Sequence, residues 1–216
     1  AAEARVRFCS IRRLFVRRHR FATAALASIL FIILLLRLAQ VRNLALPAWV
    51  DSPQHVLITQ LLTQQGAVPA SYEPLLPVQH FYYHYGFHAV TAAFAWLSGL
   101  AIPDAMLLLG QVISVLCSLG AYALGAYLFN RRLAGLVAAL LAGLVSYLPA
   151  YYVSWGRYTQ LAGMALLPVA MMCAIEWLRS QRRSVPLLVL AILLNAGMFL
   201  IHARVAVFGA CVLAAY

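Results

Sequence analysis

An all-helical, polytopic membrane protein is what the sequence predicts, and three observations carry that prediction. Hydrophobic residues fill 65% of the 216 positions and charged residues only 10%, with a mean hydropathy of +0.88; a soluble domain does not sustain such a composition. The apolar residues fall in runs of membrane-crossing length, and helix is the state open to an isolated run, because unpaired backbone groups in lipid cost several kcal/mol each. The cations are all arginine, and seven of the sixteen lie between Arg5 and Arg20, ahead of the first apolar run. That is a topogenic pattern rather than a groove-binding stripe, so the net charge of +11 does not point to nucleic acid. Cys117, Cys173 and Cys211 lie in apolar runs and Cys9 in the basic tail, with no disulfide or metal spacing among them.

Residues 1–20 read as a basic cytoplasmic tail and 21–216 as a transmembrane module. The first span is Phe21–Ala39; no small-residue cleavage site follows Phe31–Leu36, so it reads as a signal anchor. Asn43–Gly66 comes next and predicts a short helix, capped by Asp51 or Ser52, with Pro53 in its first turn and Gly66 ending it in the left-handed conformation. Val56, Leu57, Ile58, Leu61 and Leu62 are expected on one side, Thr59, Gln60, Thr63 and Gln64 on the other. A helix this polar suits the membrane surface. The later apolar runs are His84–Ala101, Ala105–Phe129, Leu133–Leu148, Thr159–Leu178 and Val185–Ile201, with a further one beginning at Val205.

Arginine parity decides which runs cross. The tail, Arg131-Arg132 and the Arg179–Arg183 cluster all belong on the cytoplasmic side, which requires an even number of crossings before Arg131. His84–Ala101 is therefore expected not to cross but to lie as a re-entrant or interfacial helix in a long outer first loop, from about residue 40 to about 104. The expected fold is about five complete transmembrane helices, a truncated sixth, and interfacial helices in that loop. The outer face then holds the loop, Ala150–Tyr158 and His202–Arg204, with Arg37, Arg42, Arg157 and Arg204 lying outward against the rule. Lipid head groups or an anionic ligand would each account for them. Ala121/Gly125 and Gly135/Ala139/Gly143 give small-residue faces for helix packing, and Pro149, Pro168 and Pro186 mark helix ends or kinks. The chain lacks an initial methionine and stops at Tyr216 inside an apolar run, so it is expected to continue beyond residue 216.

Asp51 is the candidate chemical centre: a carboxylate at the mouth of a lipid-facing cavity can take a proton from a hydroxyl, although capping alone also accounts for it. Asp104 and Glu73 compete for that role, Asp104 as a helix-opening residue and Glu73 in a loop that can fold over a ligand. Arg157, Tyr158, His202 and Arg204, with His55 and Glu73, are the candidate substrate-binding residues; converging cations suit a diphosphate or phosphodiester. His80, His84 and His88 share a face if one helix carries them, making them weak candidate metal ligands set in an aromatic belt.

Trp49-Val50-Asp51-Ser52 after the first span, the juxtamembrane segment from Pro53, Tyr82-Tyr83-His84-Tyr85-Gly86-Phe87-His88 before a second interfacial helix, and the basic turn Asn130-Arg131-Arg132 together make a pattern. It resembles the membrane-embedded glycosyltransferases of the GT-C superfamily, and Trp155-Gly156-Arg157-Tyr158-Thr159-Gln160 looks like that of a poorly characterised prokaryotic branch. The resemblance is one of pattern over nearly the whole chain. It implies a sugar on a polyprenyl phosphate as donor and direct inverting displacement. Asp51 would take the acceptor proton, Arg157 and Arg204 would hold the departing phosphate, and the isoprenoid tail would lie in an apolar groove between helices. The implied setting is a prokaryotic inner membrane with the N-terminus cytoplasmic, and the partners are membrane lipid, lipid-linked sugar and other membrane subunits. Many members carry a paired acidic motif where this chain has Asp51 alone, so no cofactor is required by the pattern and a divalent metal stays open. A non-catalytic membrane subunit or pseudoenzyme is the rival reading. A transporter is a third, but charged residues within the helices are nearly absent.

Overall fold

The computed structural model describes residues 2–180 and 184–215, with side chains from Arg20 onward. The side chains of the basic tail before Arg20, Cys9 included, and the Arg182 and Arg183 members of the basic cluster lie outside the described residues. Nine α-helices follow in order among those described: α1 (Ala2–Val41), α2 (Ser52–Gln65), α3 (Gly86–Ser98), α4 (Ile102–Phe129), α5 (Arg132–Leu140), α6 (Tyr147–Ser154), α7 (Tyr158–Arg179), α8 (Val185–Ile201) and α9 (Ala203–Ala215). A π-turn, Leu141–Val145, joins α5 to α6. No strand occurs among the described residues.

Four helical stretches are long and apolar enough to cross a membrane: Arg20–Val41, Ile102–Phe129, Arg132–Ser154 and Tyr158–Arg179. The protein is membrane-embedded on that ground. Helix α3, with 13 residues, reaches about 20 Å at 1.5 Å per residue, against a hydrocarbon core of about 30 Å. Helices α8 and α9 are apolar but shorter than the four.

Helix α4 is the centre of the bundle, packed on α7 and α5 and touched by α1, α2 and α3. Its polar side chains Gln111, Ser114 and Ser118 are buried with Met106, Ile113 and Cys117, and a buried patch from α7 (Tyr158, Leu161, Ala162) closes over them. The small-residue faces serve packing. A β-carbon at Gly125 would lie 2.9 Å from Ala138, and one at Gly135 2.7 Å from the Tyr122 carbonyl, so α4 and α5 approach backbone to backbone.

The π-turn has a partner. Ser146 N–H donates to the Leu141 carbonyl at 2.6 Å, five residues back, and the widened turn offers the Gly143 carbonyl to Arg37 Nη2 at 2.8 Å. Arg37 also donates to Gln40 at 3.2 Å. Of the four arginines expected to lie outward, Arg37 is thus bound to backbone within the bundle, a sink for its charge that hydropathy does not display. Arg42 is exposed just past α1.

Helix α2 departs from the expected faces. His55, Ile58, Thr59, Leu61 and Leu62 are buried; Thr59 belongs to the buried side because its hydroxyl donates to the His55 carbonyl at 2.8 Å, which satisfies the polar group inside. Gly66 ends the helix at φ 64°, its N–H on the Leu62 carbonyl at 2.9 Å. Neither expected N-cap forms. Asp51 makes no side-chain cap bond, and the Ser52 hydroxyl donates back to the Ala48 carbonyl at 3.0 Å. Pro186 lies in the first turn of α8, Pro149 just after the break at Leu148 inside α6, and Pro168 inside α7.

Candidate functional site

One end of the bundle gathers the C-terminal ends of α1, α6 and α8, the N-terminal ends of α4, α7 and α9, and the segment 42–101. Two close approaches tie this end together. A side chain at Gly86 would strike the backbone of Leu200 and Ile201 at 3.0 Å, so glycine lets α3 start against the end of α8. Gly156 sits at φ +65°, and a β-carbon there would strike the Ala48 carbonyl and lie 2.7 Å from Ser52 Oγ. Only glycine meets both demands. The turn Trp155–Arg157 consequently docks on the segment that leads into α2.

That docking puts Arg157 opposite Asp51, Nε to Oδ2 at 3.7 Å. The guanidinium stacks on Trp155, its carbon 3.7 Å from the ring centroid, and Trp155 in turn meets Trp49 edge-on at 6.5 Å. Trp49 has a left-handed backbone, φ 78°, which is strained for a bulky side chain; it turns the chain so that Asp51 follows at the start of α2. The ion pair is half exposed, with side-chain exposures of 31% for Arg157 and 48% for Asp51. Such a pair holds about 0–1 kcal/mol, little enough for a stronger anion to displace it.

Asp51 and Arg157 line a cavity of about 540 Å³. Four segments build its wall: Val50, Asp51, Gln54 and His55 from α2 and its approach, Tyr83 and His84 from the chain before α3, Arg157, Thr159 and Gln160 from the start of α7, and His202, Ala203 and Arg204 between α8 and α9. His84 and His202 meet with ring centroids 4.9 Å apart. The site histidines are held neutral. Burial pushes His55 down to about 4, against a smaller upward pull from Asp51. His202 goes down to about 4 through burial, then His84 and the two arginines, and His84 is lowered by burial and Arg204. With these imidazoles uncharged, the wall carries two guanidinium groups against one carboxylate, a field that favours an anion.

A second hollow, of about 230 Å³, runs on between α7 and α9, lined by Gln160, Met164, Leu167, Arg204, Val205 and Phe208. Gln160 and Arg204 belong to both. The polar cavity and the apolar groove therefore lie side by side, with Gln160 and Arg204 between them. Gln160 is held at this junction by donating to the Tyr152 hydroxyl at 3.0 Å.

Of the candidate catalytic and substrate-binding residues, Asp51, His55, Arg157, His202 and Arg204 come together here, joined by His84. Tyr158, Glu73 and Asp104 do not. Tyr158 is fully buried behind the wall, where its hydroxyl accepts from Gln111 Nε2 at 3.0 Å; the helix that begins at it turns its ring toward α4 while Arg157 and Thr159 face the cavity. Glu73 is exposed on a separate loop, closed by Tyr72 N–H on the Val78 carbonyl and Leu76 N–H on the Tyr72 carbonyl, each 2.9 Å. Asp104 lies in the first turn of α4, away from the cavity wall.

The shared face expected for His80, His84 and His88 does not form, because α3 starts only at Gly86. His88 alone lies on it, His84 faces His202, and the His80 ring is tilted against Tyr82 at 5.8 Å. No group of three or more His, Cys, Asp or Glu able to hold a metal occurs among the described residues. Gln54, Tyr83, Thr159 and Gln160 join the wall without having been singled out as site residues. For Thr159 and Gln160 the signal was adjacency to Arg157 at a helix start.

Fold and cavity together define a membrane-embedded helical protein with a cationic, polar chamber at one end and an apolar groove between two helices beside it. The chain belongs to a family of unknown function, DUF6541, whose model matches residues 3–216. No curated protein and no solved structure matches it.

Proposed function

We propose that the cavity is the active site of a GT-C-like glycosyltransferase, which moves a sugar from a polyprenyl-phosphate donor to a hydroxyl acceptor at the outer face of a prokaryotic inner membrane. One observation carries the reading: a carboxylate shares a polar cavity with two arginines, and an apolar groove adjoins that cavity at Gln160 and Arg204. A lipid phosphate needs that pairing of environments, an anion site beside a place for its tail. A soluble sugar nucleotide has no use for the groove.

In the proposed step the acceptor oxygen attacks the anomeric carbon while Asp51 accepts its proton. The bond between the anomeric carbon and the phosphate oxygen breaks, and the lipid phosphate leaves with the electron pair. Arg157 and Arg204 neutralise the charge that develops there, the kind of preorganised stabilisation that supplies much of a rate enhancement. Displacement from the opposite face inverts the anomeric centre. The purified protein in liposomes, given a radiolabelled polyprenyl-phosphate sugar and a hydroxyl acceptor, tests this directly. Transfer is expected; retention of the lipid phosphate with no transfer to any acceptor class would favour the non-catalytic subunit.

The reading also fixes a topology. The tail and the Asn130 turn lie on the cytoplasmic side, the cavity end faces outward, and α3 lies along the outer surface without crossing; its length supports this, being too short to span. Single cysteines at Ser98, Asn130 and Ser180, in a protein stripped of its native cysteines, are expected to react with an impermeant thiol reagent from outside at position 98 only. Outside labelling at position 130 overturns the topology.

A further inference from the structure

At the far end of α4 from the cavity lies a groove that the proposed step does not use. It holds about 730 Å³ between Phe129, the last residue of α4, and one face of α5. Leu133, Val137 and Leu141 line it and are 70%, 50% and 47% exposed. Ala134 and Ala138 line it at the seam with α4, where a β-carbon at Gly125 would lie 3.2 Å from the Ala134 carbonyl and 2.9 Å from the Ala138 side chain. These five positions follow the spacing of a single helix face and extend for about 12 Å at 1.5 Å per residue. The one charged residue in the lining is Arg131.

Arg131 stands in the turn between Ile102–Phe129 and Arg132–Ser154, two stretches long and apolar enough to cross a membrane. It is therefore placed where hydrocarbon ends and phosphate groups begin. Among the described residues its side chain makes no ion pair or hydrogen bond. Arg132 is also exposed but lies outside the groove lining. A cation needed only to orient the helices could occupy either position; the one at 131 adjoins an apolar channel.

We propose that this groove holds an anionic phospholipid of the surrounding leaflet, with its phosphate on Arg131 and the start of an acyl chain along α5. A guanidinium offers phosphate paired hydrogen bonds, and basic pockets between membrane helices suit anionic head groups. Register selects a lipid over another helix. A phospholipid carries anion and chain joined, at the levels where Arg131 and the apolar face of α5 stand. A covering helix would have to bring a carboxylate to the level of Arg131 or bury the guanidinium unpaired, which is costly in a membrane. The site is independent of the glycosyltransferase reading; on the topology proposed above it belongs to the cytoplasmic leaflet.

Native mass spectrometry of lipid retained by the whole chain, released from nanodiscs of equal phosphatidylglycerol and phosphatidylcholine with matched acyl chains, tests this. Phosphatidylglycerol is expected to be retained about fivefold over phosphatidylcholine, the effect of one interfacial arginine on an anionic lipid. Arg131→Gln is expected to abolish the preference, and Arg132→Gln to keep most of it. Val137→Trp, which fills the groove from an exposed position, is expected to lower retention of both lipids. A phosphatidylglycerol with a photoreactive acyl chain is expected to label residues 129–141. No preference in the wild type overturns the proposal. Equal losses in the two arginine variants also overturn it, since they would mean diffuse attraction to a basic surface. So does a dimer mass with residues 129–141 unlabelled, which would seat a second copy of the chain in the groove. The three substitutions fall at exposed positions; should one still prevent folding, the wild-type preference and the labelled residues decide.

Discussion

Asp51→Asn is expected to leave folding and membrane insertion intact and to lower sugar transfer by about 10²–10⁴-fold, the usual contribution of a positioned proton acceptor. The substitution separates chemistry from structure because asparagine caps a helix about as well as aspartate. It is also nearly isosteric, and here no cap bond exists to lose. The ion pair to Arg157, at 3.7 Å and half exposed, holds too little for its loss to unfold the site. Initial rates in liposomes, with thermal unfolding measured in parallel, check both halves. Near-normal turnover in the variant would leave Asp51 as a surface partner of Arg157 and nothing more.

Arg157→Gln carries the second large effect. A hydrogen bond to a charged group contributes about 1.5–3 kcal/mol, so the variant is expected to bind a polyprenyl phosphate about 10- to 150-fold more weakly. Arg157→Lys should fall between, since lysine keeps the charge but loses the planar fork and the stacking on Trp155. Binding of radiolabelled lipid phosphate to protein in nanodiscs measures the series. Unchanged binding in the glutamine variant would make Arg157 a structural ring partner, and would move the anion site toward Arg204 alone.

Hydropathy locates apolar helices, and the positions of the helices were legible. Helix α8 has the bounds its apolar run predicts, and α7 and α4 differ from theirs by a few terminal residues. Those positions also placed Asp51, Arg157 and Arg204 near one boundary. Rotation about each helix axis was not legible, because tertiary neighbours choose the buried face in a protein that is apolar nearly all round. Tyr158 and Arg157 are adjacent in sequence and opposite in environment, one buried on Gln111 and one in the cavity. Thr59 went inside because its own backbone offered an acceptor. His80, His84 and His88 kept their even spacing but lost their common face, since the helix began after the second of them. The Arg37 bond to Gly143 depends on a π-turn that no local residue announces.

Under the proposed function, Gln160 and Arg204, which line both the polar chamber and the apolar groove, would change what substrate concentration means. A lipid donor entering between α7 and α9 would be drawn from a two-dimensional solution, the leaflet itself. Its availability is set by mole fraction among the surrounding lipids, whatever the volume of buffer around the vesicles. Added detergent or inert phospholipid would then slow the proposed transfer by dilution within the surface, with the protein unaltered, while an acceptor dissolved in water would obey ordinary molarity.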